Sequence, residues 1–92
     1  MILTFKDKAT EHLFHGDRVK KFASFESIAR RKLEILHAAH ALEDLKIPPG
    51  NKMKQLKGKM YPKWSIRIND QWRVVFLWIG NNASEVEIVD YH

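Results

Sequence analysis

Asp90, Tyr91 and His92 set a carboxylate, a phenol and an imidazole side by side, directly after the apolar run Val86-Glu87-Ile88-Val89. Chain ends usually fray, so an ordered strand leading into these groups is the expected device for holding them. An imidazole titrates near neutrality, with an ordinary pKa of about 6.5, which makes His92 the natural proton carrier. Strand alternation puts Asp90 on the same face as His92, where a carboxylate can orient the ring and favour its protonated form. Tyr91 can stack on a base or donate a proton, or serve only as an edge aromatic. Upstream, Lys52, Lys54, Lys57, Lys59, Lys63 and Arg67 fall in a stretch, residues 52–67, that contains no acidic residue. Such a strip suits a polyanion. Lys57, just before Gly58, can hold a phosphate or move a proton, although one lysine among many is most often only solvated. Arg73 stands in the otherwise apolar run from Trp72 to Ile79, where an unpaired charge is costly. It either pairs with an internal acid such as Glu87 or Asp90, or binds a substrate phosphate.

Together these are the parts that metal-free RNA cleavage requires. A base takes the 2′-OH proton, a cation stabilises the crowded phosphate, and an acid protonates the leaving 5′ oxygen. DNA lacks the nucleophile. Lys57, Arg73, Asp90, Tyr91 and His92 form the candidate catalytic set, with Lys52, Lys54, Lys59, Lys63 and Arg67 as candidate RNA contacts. No metal or cofactor is expected. The chain has no cysteine and therefore no thiolate ligand. His37 and His40 stand at i and i+3 of an expected helix, but neither they nor His12 and His15 come with a carboxylate or thiolate constellation. A glycine-rich phosphate loop and a nucleophile elbow are also missing.

The elements that must position these groups are readable from the pattern. Ile2 to Phe5 reads as a short strand. Asp7 can cap a short helix that Gly16 ends, and Asp17 to Ala23 reads as a basic loop. Ser24 reads as the N-cap of a long helix reaching about Leu45. Its apolar face carries Ile28, Ala29, Ile35, Leu36, Ala39 and Leu42, with Leu33 just off it, Arg30, Glu34 and His37 opposite, and Lys32 and Glu43 snorkelling at the rim. Pro48 is the expected terminator. Met53 to Leu56 can form a short strand, followed by a loop over Gly58 to Pro62. Three strands follow: Trp64 to Ile68, Trp72 to Ile79 and Glu85 to Val89. The loop Asn69-Asp70-Gln71 sets Ile68 opposite Trp72, Ile66 opposite Val74 and Trp64 opposite Phe76. A slip by one residue would scramble both faces. Arg67 then lies opposite Arg73, an unfavourable pairing unless an anion sits between them. The expected fold is α+β in the order β-α-α-β-β-β-β, two N-terminal helices packed on an antiparallel sheet.

The bulk numbers agree with one such domain over residues 1–92. The chain has 92 residues, 45% of them hydrophobic, and a net charge of +5. That is enough for one modest core, and the charge favours a polyanionic or acidic partner. The longest apolar run, Val74 to Ile79, is far too short to span a membrane, and the start lacks the features of a signal peptide. A cytoplasmic location with no membrane contact is expected.

A family resemblance rests on these same residues. Leu56-Lys57-Gly58, Trp64-Ser65-Ile66-Arg67-Ile68-Asn69, Gln71-Trp72-Arg73 and the terminal Asp90-Tyr91-His92 resemble the HigB toxins of the HigBA toxin–antitoxin systems, within the RelE-like superfamily of plasmid-killer type. Asp44-Leu45 followed by Pro48-Pro49-Gly50-Asn51 fits one branch. The resemblance covers nearly the whole chain. It implies a compact microbial RNase fold and cleavage of mRNA engaged on a ribosome, which inhibits translation. It also implies neutralisation by a HigA-type helix-turn-helix antitoxin, with operator DNA contacted only through that antitoxin. By motif, Lys57, Arg73, Asp90, Tyr91 and His92 carry over as the active-site set. Some HigB proteins have a histidine three residues before the lysine of Leu-Lys-Gly, where this chain has Lys54. A lysine binds phosphate but is a poor base near neutrality unless desolvated, so activity is expected to be weaker or to rest more on His92.

Two other classes fit the same features. One is an RNA- or ribosome-binding module without turnover. The other is a protein-interaction subunit whose sheet docks a partner. Substitution of His92 separates the first from an enzyme, and substitution of Lys57 and Arg73 separates RNA contact from protein docking.

Overall fold

The computed structural model describes residues 1–91; His92, the expected proton carrier, lies outside them. Four strands, β1 (Lys54–Gln55), β2 (Trp64–Arg67), β3 (Trp72–Ile79) and β4 (Asn82–Asp90), form a sheet in the order β1-β2-β3-β4 with antiparallel neighbours. The register derived from the loop length is the observed one, with Trp64 opposite Phe76, Ile66 opposite Val74 and Arg67 opposite Arg73. Its local cause is Asn69, whose Oδ1 accepts the Gln71 and Trp72 N–H groups at 2.9 and 2.8 Å and so fixes the turn. The β3–β4 connection is the pair Gly80-Asn81, with φ of 57° and 64°, the left-handed values that a tight hairpin turn demands. β4 is longer than the expected Glu85 to Val89. It also carries an irregularity opposite Val75 to Leu77, where Glu85 takes a φ of 51°.

The N-terminal segment is a reduced strand. Ile2 and Phe5 make isolated parallel bridges to Ala83 and Val86, with backbone hydrogen bonds from Leu3 N–H to Ala83 and from Lys6 N–H to Val86. Antiparallel pairing thus holds for the four strands, and this edge is the exception. Beyond it, Thr10 Oγ1 accepts the Ile88 N–H at 3.0 Å and satisfies a buried donor of β4.

Helix α1 (Lys8–Phe14) begins after Asp7 and ends before Gly16, whose φ is 98°; the Asp7 side chain makes no capping bond. The long helix expected from Ser24 to about Leu45 needs correction. Ser24 lies inside a 3₁₀ turn, Lys20–Phe25, which replaces part of the expected basic loop. Helix α2 follows as Glu26–Ala38, with Phe25 at its N-cap position. It stops at Ala39, which turns to extended backbone, well before Pro48. The cause is Asp44, whose carboxylate accepts the His40 and Ala41 N–H groups at 2.9 and 3.0 Å. This local alternative competes with continued helix. A second 3₁₀ turn, Leu42–Lys46, follows. The apolar face shifts accordingly. Ala29, Leu33 and Leu36 are the fully buried residues of α2, whereas Ile28 is 47% exposed. Projecting one helix through Ala39 and Leu42, which lie beyond it, had turned the expected stripe. Arg30 is half-buried rather than on a free polar face, with Nε donating to the Leu13 carbonyl at 3.0 Å.

The helices cover one face of the sheet. Ile66, Val74, Phe76, Val86 and Ile88 pack there with Leu13, Phe22, Leu33 and Leu36. Trp72 closes one end of that layer, its ring 5.8 and 5.1 Å from those of Phe22 and Phe25. By alternation, Ser65, Arg67, Arg73 and Val89 fall on the other face.

Candidate active site

The outer face of the sheet gathers the expected cations around Arg73. This residue is only 9% exposed. Its Nε donates to Ser65 Oγ at 2.8 Å and one Nη to the Lys52 carbonyl at 2.7 Å. Lys52 takes the left-handed conformation, with a φ of 43°. Among the described residues no carboxylate lies within ion-pair range of the guanidinium, so neither Glu87 nor Asp90 neutralises it. Burial lowers its pKa from the ordinary value, Tyr91 opposes that effect, and the neighbouring Arg67 adds to it. A guanidinium stays charged through such a shift. What results is a positively charged group, desolvated, held at two points and without an anionic partner among the described residues.

Tyr91 lies above this cation. Its ring centroid is 5.9 Å from Arg73 Cζ and 4.9 Å from Lys54 Nζ, which sets a phenol between two positive charges. Lys54 reaches it because β1 pairs Lys54 with Ser65, on the face that carries Arg73. Lys54, Gln55, Leu56, Lys57 and Tyr91 line a cleft of about 400 Å³ beside this cluster. Lys57 is exposed at its rim and leads into the 3₁₀ turn Gly58–Met60, which carries Lys59, also exposed.

Other expected residues take different positions. Asp90 pairs across the ladder with Trp72, whose ring faces the helices, so it belongs to the opposite side of β4 from Val89. Gln71 Nε2 donates to Asp90 Oδ2 at 2.9 Å, and the Tyr91 N–H bonds the Gln71 carbonyl at 2.7 Å. Arg67 ion-pairs with Asp70 in the adjoining turn. Lys63 is not a free cation. Its side chain is 12% exposed and lies 3.8 Å from both Glu85 and Glu87, and Lys6 approaches Glu87 at 3.6 Å. Glu87 is the main cause that raises the Lys6 pKa above its ordinary value. The exposed cations of the basic strip therefore reduce to Lys52, Lys54, Lys57 and Lys59.

The residue-level reading missed Ser65 and the Lys52 carbonyl as supports of Arg73. Ser65 was findable, since it shares a face with Arg67 and lies diagonal to Arg73 in the derived register. The carbonyl was not, because it depends on a backbone conformation with no side-chain signature.

A second cleft, about 520 Å³, lies at the far hairpin among Met1, His37, His40, Asn81 and Asn82, away from the cation cluster. Among the described residues no three His, Asp or Glu side chains are grouped to hold a metal ion, and no helix is long and apolar enough to cross a membrane.

Comparison with known proteins draws on the whole chain. Residues 3–92 match a family model described as the RelE-like toxin of the type II toxin–antitoxin system HigB. The chain is 44% identical over 85 residues to a Vibrio cholerae protein named Toxin HigB-1, covering 90% of each. It is 30% identical over 73 residues to an uncharacterized protein of Haemophilus influenzae, covering 78% of this chain and 72% of that one. Among solved structures it resembles a chain of the YoeB-YefM complex from Staphylococcus aureus, with a TM-score of 0.58 at 18% identity, covering 100% of this chain and 98% of that one. That likeness places two helices on a four-stranded antiparallel sheet in the expected α+β class.

Proposed function

The chain belongs to the HigB-like family of RelE-like toxins of type II toxin–antitoxin systems, and on that premise we propose that it is an endoribonuclease that cuts translated mRNA on the ribosome. The observation that carries the proposal is Arg73: desolvated, fixed by Ser65 and Lys52, without a carboxylate in ion-pair range among the described residues, and in contact with Tyr91, which lines a cleft with Lys54 and Lys57. A structural arginine at this depth would pair with an acid, because an uncompensated buried charge is expensive. A site for a transferring phosphate leaves the charge unspent.

In this reading the scissile phosphate lies against Arg73, with Lys54 and Lys57 beside it and Lys52 and Lys59 along the backbone. The 2′-oxygen of the preceding nucleotide attacks phosphorus as its proton passes to a base. The bond from phosphorus to the 5′ oxygen breaks, and that oxygen takes a proton from an acid. The products are a 2′,3′-cyclic phosphate and a free 5′-hydroxyl. His92 and Tyr91 are the proposed proton carriers, Arg73 stabilises the added charge, and Asp90 orients the tail. Lys54 is exposed and engaged with the Tyr91 ring, which supports phosphate contact rather than a role as base. The chemistry uses no metal, because the substrate supplies its own nucleophile.

Few groups here can move a proton, so positioning of the message must contribute much of the rate. The ribosome is the proposed source of that positioning. The proposed partner that neutralises the toxin is a HigA-type helix-turn-helix antitoxin, which contacts operator DNA on behalf of the pair, and the proposed location is the cytoplasm. Single-turnover cleavage is the test. Purified protein should cut message on programmed ribosomes well and free RNA poorly, and EDTA at levels that spare the ribosome should not stop it. Equal cutting of both substrates, or none of either, rejects the reading.

A further inference from the structure

The tip of the β2–β3 hairpin touches the C-terminal tail at two consecutive residues. Gln71 donates its side-chain amide to Asp90 at 2.9 Å and accepts the Tyr91 N–H on its main-chain carbonyl at 2.7 Å. Gln71 is itself fixed, its N–H held by Asn69 Oδ1 at 2.9 Å within a turn that Asn69 also closes onto Trp72. β4 ends at Asp90, so Tyr91 lies just past the last ladder pair, where a strand end would ordinarily fray. Yet the Tyr91 ring sits over Arg73 and Lys54. Beyond the ladder, the two contacts of Gln71 are placed to help keep it there.

We propose that Gln71 is a positioning residue: the Asn69–Gln71 turn clamps the tail so that Tyr91 stays above Arg73 at the reacting phosphate. The inference rests on the proposed ribonuclease reading for its effect on rate, although the clamp itself does not. Gln71 is exposed at a loop tip and takes no part in the core, so removing its amide should leave the fold intact. Its loss should instead leave the tail in several positions, few of them productive, which lowers the rate at saturating substrate and leaves binding nearly unchanged.

The test uses the full chain carrying Gln71→Met, which keeps the length and removes the amide. Two measurements are made: single-turnover cleavage on programmed ribosomes, and hydrogen exchange of the Tyr91 amide. The expected result is a saturated rate reduced roughly tenfold, the worth of one hydrogen bond to a charged group, at an unchanged half-saturating concentration and melting temperature. Tyr91 amide exchange should be faster. Gln71→Lys, which keeps a donor able to reach Asp90, should recover most of the rate. In an Asp90→Ala background Gln71→Met should cost nothing further, because the two act as a unit. Wild-type cleavage with Gln71→Met, unaltered Tyr91 exchange, or a rate loss that follows a lower melting temperature overturns the inference. If the unsubstituted protein itself cuts nothing, the ribonuclease reading has failed and the exchange measurement still decides the clamp.

Discussion

Arg73 Nε donates to Ser65 Oγ at 2.8 Å across the β2–β3 pair, and Ser65 has no exposed surface at all. The bond aims the guanidinium along the outer face of the sheet, and the Lys52 carbonyl at 2.7 Å fixes its other end. Ser65→Ala removes the first anchor and leaves a charged donor unsatisfied. We expect a fall of roughly tenfold in single-turnover cleavage, with a modest loss of stability because the bond is buried and charge-assisted. Ser65→Thr keeps the hydroxyl and should retain more activity. Arg73→Ala should cost about 10²–10³ in rate, the usual worth of one preorganised donor to a developing oxyanion. Circular dichroism must accompany each measurement, because Arg73 also ties β2, β3 and the Lys52 turn together. Equal cleavage by Ser65→Ala and the parent would make the serine a bystander.

Lys54 and Lys63 look alike in the sequence and should separate by salt dependence. Lys54 is exposed beside Tyr91, whereas Lys63 is enclosed by Glu85 and Glu87. Each cation that neutralises a phosphate of a single strand contributes about 0.7 to the slope of log affinity against log salt. Lys54→Ala should lower that slope by about 0.7 on a single-stranded RNA probe. Lys63→Met should leave the slope unchanged and lower the melting temperature, since it takes a cation from Glu85 and leaves Glu87 only Lys6. Lys54→His should leave cleavage unchanged or raise it. A lowered slope for Lys63→Met would restore that residue to the RNA surface.

The difference between these two lysines shows how far the sequence was legible. Strand alternation and one loop length were enough to derive the pairing of Trp64 with Phe76 and of Arg67 with Arg73, because a one-residue slip flips a whole face. The joining of Lys54 and Tyr91 around Arg73 also needs the pairing of Lys54 with Ser65, which that register does not supply. What was not legible depends on particular side-chain contacts that residue type and periodicity do not specify. The acids that capture Lys63 come from β4. The early end of α2 depends on Asp44 reaching back to two backbone donors, a choice that helical periodicity cannot register. Asp90, expected among the catalytic groups, falls on the Trp72 side of the ladder, because alternation divides adjacent residues between faces.

Asp44 gives a pH-dependent test of that chain reversal. Hydrogen bonds from the His40 and Ala41 N–H groups hold its carboxylate below the ordinary value of 3.8. A depressed folded pKa means that the unfolded chain binds a proton first as pH falls. The stabilisation is therefore complete above that ordinary value, shrinks below it, and vanishes once the pH passes the folded pKa. Asp44→Ala should lower the melting temperature at neutral pH, and the gap to the parent should close on acidification below about pH 4. A gap that stays constant to pH 2 would show that the carboxylate's charge plays no part.

The last prediction concerns His92, which follows Tyr91 directly and lies outside the described residues. An imidazole exchanges protons near neutrality, which suits the step. If His92 is the acid or base, His92→Gln should lower the single-turnover rate on programmed ribosomes by about 10²–10⁴. Binding to the ribosome should survive, because the flanking lysines and Arg73 remain. Its removal should also abolish the branch of the pH–rate profile that falls near neutrality, a signature that a misfolded or weakly bound variant would not give. A binding module without turnover would keep its effect on translation after this substitution. Near-full cleavage by a well-folded His92→Gln protein would take the histidine out of the reaction and move the proton transfers to Tyr91, Lys57 or a group supplied by the ribosome.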